Sequence, residues 1–106
     1  MIKYHKAIRD KIPQIISQSG NSCNIKKLSN AKFLVELEKK LGEELAEYQK
    51  SKNPEELADI IEVIIAIARL RGTSQKKLER IRLKKLKSRG GFAKNLFLIS
   101  TSDNSR

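Results

Sequence analysis

One cysteine and one histidine are all that this 106-residue chain offers in thiol or imidazole side chains. Cys23 has no second thiol to pair with, so an intramolecular disulfide is excluded and a reduced, cytoplasmic setting is the expectation. Without a cluster of His and Cys, the chemistry of a zinc site is missing as well. Long apolar runs are also scarce. The N-terminal "MIKYHKAIRDK" has no apolar core of the signal-peptide kind, and the longest apolar stretch, "IIEVIIAIARL", carries charge and is too short to span a bilayer. No membrane partner is therefore expected. Acidic residues are few, 12 against 23 Lys plus Arg, and the formal charge of +11 brings a polyanionic partner into consideration, a nucleic acid, a nucleotide or an acidic membrane surface, among which composition alone does not choose.

The few acids are not scattered. Nine of them (Glu36, Glu38, Glu43, Glu44, Glu47, Glu55, Glu56, Asp59, Glu62) fall between residues 36 and 62, where only four lysines accompany them. An acidic centre thus sits inside a basic chain, and its purpose is the main question that the sequence raises.

The hydrophobic pattern predicts an all-α fold, a bundle of about four helices, in one domain over residues 1–99. "IRDKIPQIISQSG" carries Ile8, Ile12, Ile15 and Ile16 at helical spacing before Gly20, with Pro13 in the first turn of a short first helix. A polar connector, "NSCNIKKLSN", follows. From Asn30 or Ala31 to about Lys50, Leu34, Leu37, Leu41, Leu45 and Tyr48 form the stripe of an amphipathic helix. Asn53 then caps a third helix that begins at Pro54 and stops at Gly72. Thr73 or Ser74 caps a fourth, which ends at Gly90 and Gly91. "FAKNLFLIS" reads as a short extended tail strapped over the bundle, and residues 100–106 as a flexible end.

Helical spacing puts Glu44 and Glu47 on one face of the second helix and Glu56 and Asp59 on one face of the third. If these helices pack antiparallel about the "SKNP" break, Glu47 lies level with about residue 58 and Glu44 with about residue 61. The two acidic pairs then share a layer. The third helix is apolar on nearly every side, more than three short partner helices can cover, and is expected to be buried within the bundle or between subunits, which would leave Glu62 as a buried carboxylate in need of a partner. Converging carboxylates without interleaved bases repel one another, and Mg²⁺, or Mn²⁺ in its place, offsets that repulsion through oxygen ligands. The competing reading is a solvated face with Lys partners four residues away. The fourth helix adds a basic run, Lys76, Lys77, Arg80, Arg82, Lys84, Lys85, Lys87 and Arg89, with Lys94 beyond it, against one acid, Glu79. Such a run is a solvated surface, a nucleic-acid contact or, beside a metal and its carboxylates, a phosphate clamp.

"GEELAE" followed by "EELADIIEVI" resembles the ExxE…ExxD signature of the all-α nucleoside triphosphate pyrophosphatases. "IRDKIPQII" and "SRGGFAKNLFL" resemble the flanks of the small MazG-like, phosphoribosyl-ATP pyrophosphohydrolase-like members of that superfamily. The likeness covers about residues 2 to 98, with departures at Ala7, Ile8 and Gln14. It implies a dimer or tetramer that binds Mg²⁺ and cleaves a nucleoside triphosphate to the monophosphate and pyrophosphate. It further implies Glu44, Glu47, Glu56 and Asp59 as metal ligands and catalytic carboxylates, with Glu43 and Glu62 in supporting places. Lys84, Lys85, Arg89 and Lys94 are the leading phosphate contacts, and Arg9 and Lys11 rank behind them. Cleavage of phosphoribosyl-ATP in histidine synthesis and a non-catalytic, basic nucleic-acid-binding module are the alternatives.

Overall fold

The computed structural model of the protein describes residues 2–102. It contains four helices, α1 (Ile12–Gln18), α2 (Asn30–Ser51), α3 (Pro54–Leu70) and α4 (Gln75–Arg89), and no strand among the described residues. The fold is all-α. The expected flexible end over 100–106 lies outside the described residues from 103 onward.

Local chemistry sets the helix ends. Ser29 caps α2 by accepting from the Lys32 amide, Asn53 caps α3 by accepting from the Glu55 amide, and Ser74 caps α4 by accepting from the Lys77 amide. Pro54 occupies the first turn of α3, where its missing N–H is not needed. Lys52 adopts a left-handed conformation (φ 59°) and donates its amide to the Tyr48 carbonyl, which closes α2 and reverses the chain over a two-residue connection, Lys52 and Asn53. The outcome is a tight α2–α3 hairpin, and this pair makes the most extensive helix–helix contact of the molecule. α4 touches α3 over a shorter stretch, and α1 packs against no other helix among the described residues.

The hairpin is a framework rather than a closed globule. Among the described residues, only Ala7, Leu37 and Val63 are buried apolar residues. The radius of gyration is 18.7 Å, against about 13 Å for a compact chain of this length. A single chain does not enclose α3: Val63 is its one buried residue, whereas Leu57, Ile61 and Ile64 are exposed, and so is Glu62. A helix apolar all round needs neighbours on all sides, and one chain gives α3 only α2 and part of α4. The tail is extended but is not strapped over the bundle. Phe92 is 98% exposed, and Leu96, Phe97, Leu98 and Ile99 are exposed too. The backbone leaves α4 through Gly90 at φ 81° and turns again at Asn95, φ 55°, without doubling back onto the hairpin.

Candidate metal centre

α2 and α3 carry the acidic pairs to the same layer of the hairpin. Carboxylate oxygens of Glu44, Glu56 and Asp59 lie within 4.8 Å of one another. Glu47 stands beside Glu56, near enough for its charge to act on the Glu56 carboxyl. All four carboxylates singled out from the spacing are therefore neighbours, as the antiparallel register of the two helices requires. Glu43 and Glu62 are exposed and lie outside the triad.

Within one chain, the buried carboxylate among the described residues is Glu44, while Glu62 is exposed. Glu44 is only 8% exposed, and its Oε2 is buried without a hydrogen-bond partner. Its Oε1 faces the Lys40 ammonium at 3.6 Å, a long contact that leaves much of the desolvation cost standing. A signal for this was present. Glu44 stands seven residues after Leu37, two helical turns along the same stripe, and these two are the buried residues of α2. The partner Lys40 was legible as well, being four residues before Glu44.

Electrostatics at the cluster are strained. Loss of hydration, followed by the nearby carboxylates of Glu47, Asp59 and Glu44, holds the Glu56 carboxyl above its ordinary value of 4.5. The relief available is small: Arg9 Nη2 donates to Asp59 Oδ1 at 2.7 Å, and Lys40 approaches Glu44. This donor set of hard oxygens, one of them buried and unpaired, fits a divalent cation of the Mg²⁺ or Mn²⁺ type, with Glu44, Glu56 and Asp59 as its protein ligands.

A cleft of about 730 Å³ opens beside the triad, between α2, α3 and the segment running from Lys6 to Ile12. Glu44 and Asp59 line it together with Glu62, and the cations on its wall are Lys6, Arg9, Lys11, Lys40 and Arg69. Phe33, Leu37, Val63 and Ala66 give it an apolar side. Of the predicted phosphate contacts, only the two ranked second, Arg9 and Lys11, are in this cleft. Lys85 and Arg89 line a separate recess of about 480 Å³ with Arg82 and Phe92, and Lys84 and Lys94 line neither. Arg69 is a cleft residue that the sequence reading missed. Its position could have been found, since Asp59, Glu62, Ala66 and Arg69 recur at three and four along α3 and all reach the cleft.

Fold and site together define a class: an all-α protein whose helical hairpin gathers carboxylates at the edge of a cation-lined cleft. No family model, no curated protein and no solved structure matches the chain.

Proposed function

We propose that this protein is a divalent-cation-dependent nucleotide pyrophosphohydrolase of the MazG-like kind, cleaving a nucleoside triphosphate to the monophosphate and pyrophosphate. The observation that carries this reading is Glu44 Oε2, buried and unpaired, in a triad whose oxygens converge within 4.8 Å. A buried lone carboxylate oxygen costs stability, and a cation ligand is the partner that this donor set suits.

Glu44, Glu56 and Asp59 would hold the cation, Mg²⁺ or Mn²⁺. When bound, such an ion polarises phosphoryl oxygens and lowers the pKa of a coordinated water. Glu47 stands beside Glu56 but outside the triad, so it is the carboxylate left free of the cation to accept a proton from the attacking water. Arg9, Lys40 and Arg69 supply positive charge to the triphosphate, and the apolar side of the cleft at Phe33 and Ala66 suits the base. Pyrophosphate release that depends on added Mg²⁺ tests the reading. Nucleotide-pool cleaning is the role in view, and phosphoribosyl-ATP belongs in the same substrate panel.

A homodimer or homotetramer is part of the proposal. Exposed Leu57, Ile61 and Ile64 on α3, exposed Leu45 on α2 and the bare apolar tail leave a single chain poorly covered. Sedimentation at micromolar concentration is expected to give a mass of two or four chains, and a monomer would contradict it.

A second reading has one observation in its favour. The α4 cations Arg82, Lys85 and Arg89 gather around a recess of their own, beside exposed Phe92, as a nucleic-acid-binding module would place them. Binding of that kind loses affinity steeply with salt and needs no divalent cation.

A further inference from the structure

We propose that Arg9 is the internal counter-cation of the acidic triad: it holds Asp59 while no divalent cation is present, competes with one for that carboxylate, and turns to the nucleotide's phosphates when displaced. The inference rests on the metal-centre reading above and adds to it a cation that the protein itself supplies.

Charge and geometry lead to it. Glu44, Glu47, Glu56 and Asp59 bring four negative charges together, and the cations paired with them are Lys40 and Arg9. Lys40 comes from α2, one turn before Glu44, and belongs to the hairpin. Arg9 comes from outside it, 50 residues before Asp59 in the chain. The segment that carries Arg9 is lightly held. Ala7 is its one buried residue, and α1, which follows it, packs against no other helix among the described residues. Yet residues 6 to 12 form one continuous wall of the cleft. The Arg9–Asp59 bond, 2.7 Å long with both side chains partly exposed, is thus a fastening between the cleft wall and the triad.

Its strength is limited by solvent, so a doubly charged ion at the same carboxylate can replace it. A guanidinium has five N–H donors and forks onto pairs of phosphate oxygens. Released from Asp59, Arg9 remains on the cleft wall, where such oxygens would lie. Within the triad, Glu44 Oε2 stays buried without a partner, so Arg9 and Lys40 do not satisfy the cluster by themselves.

The test is Mn²⁺ titration by calorimetry or by electron paramagnetic resonance, followed by titration of inorganic tripolyphosphate into the Mn²⁺-loaded protein, for wild type, Arg9→Gln and Arg9→Lys. Loss of the competing charge in Arg9→Gln should tighten Mn²⁺ binding about two- to fivefold and weaken tripolyphosphate about tenfold or more. Arg9→Lys keeps the charge but not the fork, so Mn²⁺ affinity should stay near wild type while tripolyphosphate weakens. That second variant decides the phosphate half if Arg9→Gln does not fold, as judged by circular dichroism. Wild type that binds Mn²⁺ while Arg9→Gln binds it no more tightly overturns the counter-cation role alone. Unchanged tripolyphosphate affinity in Arg9→Lys overturns the phosphate role. No Mn²⁺ binding by any of the three removes the metal reading itself, and this proposal with it.

Discussion

Glu56→Gln is expected to have two opposite effects, raising the melting temperature of the cation-free protein at neutral pH while weakening binding of the divalent ion about 100-fold or more. The first follows from the charge balance. Glu56 titrates above its ordinary 4.5 because of lost hydration and the carboxylates of Glu47, Asp59 and Glu44. Between that ordinary value and the raised one, the folded protein holds a proton that the unfolded chain has released. Stability therefore falls as pH rises through this window, and the ionised Glu56 opposes folding above it. A neutral amide of the same shape removes the repulsion and offers Glu47 an N–H donor. Thermal scans in chelator from pH 4 to pH 8 should show the wild-type decline and a flatter profile for Glu56→Gln. A lower melting temperature for the variant at pH 7 would mean that the carboxylates are not in repulsive contact.

Divalent cation should stabilise the protein as much as any ligand it meets. At a concentration 100 times its dissociation constant, an ion that binds only the folded state adds about 2.7 kcal/mol, which for a chain of this size raises the melting temperature by roughly 10 °C. Mg²⁺ and Mn²⁺ should both act, chelator should reverse the effect, and Glu44→Gln should abolish it. Glu44 is the sensitive position because its Oε2 is the buried oxygen without a partner. Glu79, by contrast, is held below its ordinary value by its hydrogen bonds to Arg82, at 2.6 and 2.9 Å. That satisfied pair on α4 has no bearing on the cation response. A response that survives in Glu44→Gln would place the bound ion elsewhere.

Helices and their ends were legible because they depend on local chemistry. The Leu34–Tyr48 stripe, Asn53 before Pro54 and the glycine at residue 72 each act within a turn or two of the chain, and α2, α3 and α4 lie where those residues place them. The meeting of Glu44 and Glu47 with Glu56 and Asp59 was legible for a related reason. A two-residue connection, Lys52 and Asn53, leaves an antiparallel pair almost no freedom of register. Burial was not legible in the same way. An apolar helix tells how much it could bury but not which neighbours bury it, and within one chain Glu62 of α3 is exposed while Glu44 of α2 is buried. The cleft cations were ranked too low for the converse reason. Arg9 and Lys11 reach the site through tertiary placement, whereas the dense basic run of α4 stands out in the sequence and lines a different recess.

The most direct test of the central claim is pyrophosphate release from a panel of standard and damaged nucleoside triphosphates and phosphoribosyl-ATP, with Mg²⁺, with chelator, and with Glu47→Gln in Mg²⁺. The account predicts release from at least one member that is abolished by chelator and reduced about 100-fold or more by Glu47→Gln, in line with losses of 10²–10⁴ for general acid–base groups. A folded, Mg²⁺-replete protein that releases pyrophosphate from none of them, or releases it equally well in the variant, would contradict it.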